Sequence, residues 1–157
     1  MHLKGLNEYD ICNYKKPSMF LIFPKCSFKC DKEFGRRICQ NSALANEPVV
    51  SIDIKEIYDR YKSNILTHAC VCGGLEPFDS WTDLYNFIHY FRQRCDDDIV
   101  IYTGYTEEEI AEYIRVLHNF SHIIVKFGRF MPNRPHIYDA LLGVTLASDN
   151  QYAKIIS

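Results

Sequence analysis

Four short apolar runs, separated by segments of helical period, constrain this chain more than any other feature of its sequence. "SMFLIF" (18–23), "ILTHACVC" (65–72), "DIVIY" (98–102) and "HIIVKF" (122–127) have the length and near-continuous hydrophobicity of strands buried on both faces. Between them the period lengthens to that of a helix. Residues 53–63 take Asp53 as N-cap, with Glu56 three residues on, and carry Ile54, Ile57, Tyr58 and Tyr61 on one face. Residues 80–95 pair Ser80 with Asp83 as a capping box and carry a stripe of Trp81, Leu84, Tyr85, Ile88 and Phe91. Thr106 and Glu109 cap a third helix that carries Ile110, Ile114 and Leu117. A last short strand is expected at "GVTLA" (143–147). Such alternation predicts an α/β fold with βαβ units, a mostly parallel sheet and right-handed crossovers.

In parallel sheets the loops that leave the carboxyl ends of the strands build the functional face. Here those loops are the cysteine-rich segment after the first run, then "GGLEPF", "TGYT" and "GRF". They are expected to meet on one rim. No repeat, low-complexity segment or linker interrupts the chain, so residues 1–157 are expected to form a single domain.

Composition narrows the chemistry. A net charge of −2 gives no reason to expect nucleic acid or an acidic membrane surface as partner. The longest apolar runs are far too short to cross a bilayer, and the polar Met1–Asp10 segment predicts no export signal. Seven cysteines, an odd number, then point to a reducing, cytoplasmic setting and to metal or redox chemistry over disulfides. The six histidines are scattered; His68 and His122 fall inside predicted strands and read as structural.

Three of the thiols sit together in "FPKCSFKCDKEFGRRICQN" (23–41), where Cys26, Cys30 and Cys39 are surrounded by charged residues. Three thiolates with an open fourth position suit a 4Fe-4S cluster with one free iron. They also suit zinc if Cys70 and Cys72 complete the set. A C-x-C in mid-strand puts both side chains on one face, where small apolar residues pack, and Cys70 and Cys72 are therefore expected in the core. Cys12 and Cys95 have no partner by spacing. In "GGLEPF" the two glycines let a ligand approach the backbone, and Glu76 can accept from an amine; the bland reading is a tight turn into the next helix. Tyr102, Thr103 and Tyr105 end the third strand, where aromatics more often pack than touch a cofactor. Asn150 and Gln151 are suited equally to pairing backbone and to touching a ligand.

The cysteine loop ending in "CQN", the "GGLEPF" loop, "IYTGYT" and the closing "GVTLASDNQYAKII" occur in this order over roughly residues 14 to 156. In these features the chain resembles the activating proteins of anaerobic (class III) ribonucleoside-triphosphate reductases, small members of the radical S-adenosylmethionine superfamily. The resemblance implies a partial, open β/α barrel of radical S-adenosylmethionine type. A chain of this length is too short for the ~250 residues of a closed eight-stranded barrel. It implies Cys26, Cys30 and Cys39 as ligands of one 4Fe-4S cluster, and Asn41, Gly73, Gly74 and Glu76 as cofactor-binding residues. Ile38 stands at the position that lies against the adenine in the family, and Thr103 joins the cofactor set. The family's C-x3-C-x2-C spacing is here C-x3-C-x8-C, and Leu75 interrupts its G-G-E/D-P.

The activity implied is reductive cleavage of S-adenosylmethionine and abstraction of a hydrogen atom from a glycine of the reductase. A protein would supply the single electron. The competing expectation is a non-catalytic iron–sulfur or zinc module for structure or electron transfer. An amino-acid-binding loop at 73–77 is what separates the two.

Overall fold

The computed structural model describes all 157 residues and sets the four apolar runs side by side in one sheet. In chain order the elements are β1 (His2–Leu3), β2 (Gly5–Asp10), β3 (Ser18–Phe23), α1 (Lys29–Phe34), β4 (Val50–Ser51), α2 (Ile54–Ser63) and β5 (Ala69–Gly74). They continue with α3 (Trp81–Arg92), β6 (Asp98–Tyr102), α4 (Ala111–Leu117), β7 (Ile123–Phe127), β8 (Ile137–Asp139), β9 (Val144–Leu146) and β10 (Tyr152–Ile155). Single 3-10 turns cover Ser42–Asn46 and Pro77–Ser80. The main sheet has the order β10-β7-β6-β5-β3-β2. Its inner four strands are parallel, and the edges β2 and β10 are antiparallel to their neighbours.

Because the parallel strands follow chain order, each right-handed crossover lays its helix on the same face of the sheet. Side-chain alternation then separates two apolar layers. Met19, Leu21, Phe23, Cys70, Cys72, Ile99, Ile101, Ile123 and Val125 pack against Ile57 and Tyr61 of α2, Leu84, Ile88 and Phe91 of α3, and Leu117 of α4. Ala69, Val71, Val100 and Ile124 face the other way, where Leu142 and Leu146 of the β8–β9 hairpin cover them. The face without helices keeps open space at the carboxyl ends of the strands. No helix is long and apolar enough to cross a membrane.

The α/β class and the mostly parallel sheet agree with the sequence pattern. Asp53 caps α2 by accepting from Lys55 N at 2.7 Å. Thr106 and Glu109 form the expected reciprocal box, with Glu109 Oε2 accepting from Thr106 N at 2.9 Å, although α4 itself begins at Ala111. Two expectations need correction. The Ser80–Asp83 box does not form: Ser80 Oγ is buried without a partner, and Asp83 instead accepts from His2 N at 3.0 Å. The strand expected from residue 65 starts only at Ala69, since Asn64 turns the chain by accepting from Leu66 N at 3.1 Å and leaves Ile65 and Leu66 exposed. His68 and His122 accordingly lie just before their strands, outside them.

At the end of β5 the backbone of Gly74 takes a φ of 85°, and an added Cβ would lie 2.6 Å from Ile22 Cγ2. A left-handed conformation costs an L-residue about 1–2 kcal/mol, and overpacking costs about 1–3 kcal/mol more. Gly74→Ala is expected to lower stability by about 2–5 kcal/mol in chemical denaturation; a loss below ~1 kcal/mol would show that this turn relaxes freely.

Candidate functional site

The loops after β3, β5, β6 and β7 meet around a cavity of about 490 Å³ at the carboxyl edge of the sheet. Cys26, Cys30, Cys39 and Asn41 line it from the first loop, Gly74, Leu75 and Glu76 from the second, and Thr103 and Gly104 from the third. Gly128, Arg129 and Phe130 close it from the fourth, while Val144 to Ala147 of the C-terminal hairpin form its far wall. Two residues of the sequence-derived set stay out of the lining, Ile38 and Gly73. Gly73 is small for a packing reason: an added Cβ would lie 3.1 Å from the Phe20 ring.

The cysteine loop is built to hold its thiols on that cavity. Phe28 adopts a left-handed φ of 51°, which turns its amide back to donate to Cys26 Sγ at 3.3 Å. The chain then enters α1, which carries Cys30 and stops at Gly35 in a left-handed cap. Asp31 closes the long interval to the third thiol. Its Oδ1 accepts from Ile38 N and from Cys39 N, each at 2.8 Å, and brings Cys39 back beside Cys30. The eight-residue spacer thus folds as one turn of helix returned by a single carboxylate.

Four further contacts fasten this loop to the body. Asp79 Oδ2 accepts from Ser27 N at 2.6 Å, and Asn41 Nδ2 donates to the Gly74 carbonyl at 2.8 Å. Lys29 pairs with Glu109 at 3.2 Å, and Glu33 pairs with Arg129 at 3.4 Å. Tyr105 supports the same corner, donating to Asp79 Oδ1 at 2.6 Å. All three thiols are half-buried. Burial pushes the Cys26 thiol up to about 12 and the Cys30 thiol up to about 11, the latter helped by its neighbour Cys39. A bound cation reverses that preference, because a coordinating thiol is deprotonated outright.

The other cysteines lie elsewhere. Cys70 and Cys72 are fully buried on the helix side of β5, across the sheet from the cavity, so they cannot complete a metal site with the loop thiols. Cys95 donates to Asp97 Oδ2 at 3.1 Å beyond α3. Cys12 is exposed at the cavity's margin. No three His, Cys, Asp or Glu side chains converge as tightly as a single metal ion requires. A cluster makes no such demand, since it spreads its thiolates over separate irons.

Glu76 is the buried charge of the site, 6 % exposed. Its Oε1 accepts from Thr103 Oγ1 at 2.8 Å and Phe78 N at 3.2 Å, and its Oε2 accepts from Gly104 N at 2.9 Å. One acceptor position on Oε2 remains. Burial nevertheless pushes its carboxyl up to about 7 against the pull of these donors. The amides of Leu75 and Glu76 are spent on the carbonyls of Phe23 and Lys25. The Thr103 hydroxyl serves Glu76 directly, while its backbone N–H donates to the Lys126 carbonyl at 2.9 Å.

A second buried charge, absent from the sequence reading, faces the same cavity. Lys126 of β7 is 6 % exposed, donates to the Gly128 carbonyl at 3.0 Å, and is pushed down to about 8 by burial, with Glu76 pulling the other way. Its signal was a lone lysine inside the apolar "HIIVKF". Arg129 lies just after β7 in the "GRF" loop expected on the rim, although the sequence does not single out its own role. The "SDNQ" tail braces this loop: Asn150 Nδ2 donates to the Arg129 carbonyl at 2.8 Å and Gln151 Nε2 to the Gly128 carbonyl at 3.1 Å.

These residues fit a thiolate-held inorganic group beside a polar pocket, and comparison with known proteins agrees on the first part. No curated protein and no solved structure matches the chain. One family model does, over residues 17–144, a span that holds Cys26, Cys30, Cys39, Glu76 and Lys126 alike. On that match, covering most of its length, the chain belongs to the 4Fe-4S single cluster domain family.

Proposed function

We propose that this chain is a radical S-adenosylmethionine enzyme that generates a glycyl radical on an anaerobic ribonucleotide reductase. The observation that carries the reading is the meeting of the cysteine loop and the "GGLEP" loop on one cavity, with Glu76 and Lys126 buried in its wall. Buried charges are costly unless they answer a partner. A cluster that only stabilises a fold or relays electrons has no use for a 490 Å³ cavity carrying one buried acid and one buried base. The zinc version of that alternative also loses its fourth ligand, since Cys70 and Cys72 face the other layer.

On this reading Cys26, Cys30 and Cys39 would hold the 4Fe-4S cluster, and S-adenosylmethionine would bind beside it in the cavity. With an electron from a reductant protein, the bound pair would supply reductive cleavage of S-adenosylmethionine and hydrogen-atom abstraction from a glycine Cα. The chain's own residues bind and orient. Glu76 Oε2 offers its remaining acceptor position to the ligand's amine, and Thr103 with Gly104 fixes that carboxylate in place. Lys126 is the buried cation available to the ligand's carboxylate. Asn41 ties the cysteine loop to Gly74, so the cluster end and the amino-acid end of the site move as one. The sheet, with α2, α3 and α4 on one face and antiparallel edges, is an open half-barrel in this reading. A protein substrate enters from the uncovered side.

Anaerobically reconstituted protein is expected to change its electron paramagnetic resonance spectrum when S-adenosylmethionine is added to the reduced cluster. With the cognate reductase and a reductant, a glycyl radical doublet should appear on the reductase together with 5′-deoxyadenosine; Cys39→Ser should give neither. An unchanged cluster spectrum at saturating ligand would favour the electron-transfer module. Cleavage without a glycyl radical on the cognate reductase would sink the activase assignment and leave only the wider enzyme class.

A further inference from the structure

The cysteine loop has an outer surface as well as an inner one. Residues 25–37 hold Lys25, Lys29, Lys32, Arg36 and Arg37 against Asp31 and Glu33, so five positive charges less two negative leave +3 in a chain whose total is −2. Both acids are engaged in the loop's own architecture. Asp31 accepts from the Ile38 and Cys39 amides, and Glu33 pairs with Arg129. Of the five cations only Lys29 has an ion-pair partner, Glu109. Lys25, Lys32, Arg36 and Arg37 are exposed and unpaired with any carboxylate. Amid them Phe34, 40 % exposed, presents an apolar ring with the Arg36 guanidinium 5.8 Å from its centre.

From these contacts we infer that the outer face of α1 and its flanking loop is the docking surface for a small acidic protein that carries a one-electron centre near its own surface. The surface joins a positive rim to an exposed aromatic, the composition of a transient electrostatic interface. It also belongs to the same short segment that carries the three half-buried thiols, with Cys30 on α1 itself. The redox step is simple. The donor's reduced centre loses one electron, the cluster core goes from the 2+ to the 1+ level, and no bond forms or breaks. A nucleic acid is the other polyanion such a surface could take, but the chain's overall negative charge opposes a long polyanion while a compact acidic protein meets only the local field.

The inference rests on the cluster and not on the proposed reaction, so its test leaves S-adenosylmethionine out. Photoreduced, cluster-loaded protein is mixed in a stopped-flow instrument with oxidised plant-type 2Fe-2S ferredoxin, an acidic one-electron protein, and electron exchange is followed by absorbance. Binding is measured separately by calorimetry with gallium-substituted ferredoxin, which cannot exchange electrons. Wild-type exchange should slow steeply with added salt. The Lys32→Glu/Arg36→Glu variant should be slower by roughly tenfold or more at low ionic strength, lose most of the salt dependence and show weakened calorimetric binding. Its reaction with methyl viologen, a small cation that needs no docking site, should not slow.

A distant control of equal charge change, Lys62→Glu/Arg115→Glu on exposed positions of α2 and α4, should stay near wild type. Equal losses in the two variants would reduce the effect to net charge and overturn the assignment. An unaffected Lys32→Glu/Arg36→Glu variant would overturn it as well, as would a single-stranded oligonucleotide that binds this face more tightly than ferredoxin at physiological salt.

Discussion

Serine at Cys26, Cys30 or Cys39 is expected to strip the chain of its cluster, taking iron and acid-labile sulfide from about four each per chain to near zero. A hydroxyl is a poor ligand for iron in a sulfide cage, and two thiolates cannot hold a cluster that three already leave open on one side. The geometry gives the three positions separate vulnerabilities. Cys26 is held by the Phe28 amide, Cys30 by its place on α1, and Cys39 by the Asp31 carboxylate on its amide and by Ser42 N on its carbonyl. Cys12→Ser and Cys95→Ser should keep a full complement, because Cys95 is occupied with Asp97 and Cys12 stands at the margin. Anaerobic reconstitution with iron and sulfide analysis decides the matter. A full cluster in any one of the three loop variants, or its loss in Cys12→Ser, would overturn the ligand set.

The sequence displayed what depends on local pattern and concealed what depends on return contacts. β3 and β6 are continuous apolar runs with strong β propensity, and their bounds in the structure are those of the runs themselves. β5 was drawn too early because Ile65 and Leu66 look like core, whereas an Asn64 turn leaves them in water. β10 was hidden in "YAKI", a strand whose side chains are mostly exposed and which forms only by pairing with β7. α1 was missed since its six residues bury nothing fully; the helix exists between the Phe28 turn and the Gly35 cap. At the site the split is the same. The cysteines and Glu76 announce themselves by type and spacing. Lys126 is a lone lysine in a buried apolar run whose role shows only when the structure sets it on the cavity wall, and Asp31 looks like loop charge until it is found closing the loop. The "SDNQ" tail could be read either way from sequence, and in the structure it braces the Gly128–Arg129 backbone.

Affinity for S-adenosylmethionine should rise about tenfold from pH 6 to pH 8 if Glu76 receives the ligand's amine. Burial dominates this carboxyl and lifts it from 4.5 to about 7, in spite of the donors at Gly104, Thr103 and Phe78. The folded state therefore holds a proton that the unfolded chain has already released. Below about 4.5 both states are protonated and nothing is lost; across the window up to about 7 the folded state loses stability as pH rises, by about 3 kcal/mol in all. Above that window both states are ionised and the loss is constant. A cationic ligand restores what ionisation costs, because it binds only the carboxylate form. Below pH 7 each unit of acidity should thus weaken binding about tenfold, and the dependence should flatten above it. The alkaline side is less diagnostic, since a ligand's own α-amine titrates at ~8, close to the depressed Lys126. Lys126→Met separates the two: it should weaken binding throughout and leave the acid limb in place. Glu76→Ala should remove the acid limb, lower affinity and spare the iron content. Calorimetric titrations from pH 6 to pH 9 on cluster-loaded protein read the wild type and both variants, and a wild-type affinity that stays flat across that range would place the ligand's amine somewhere other than Glu76.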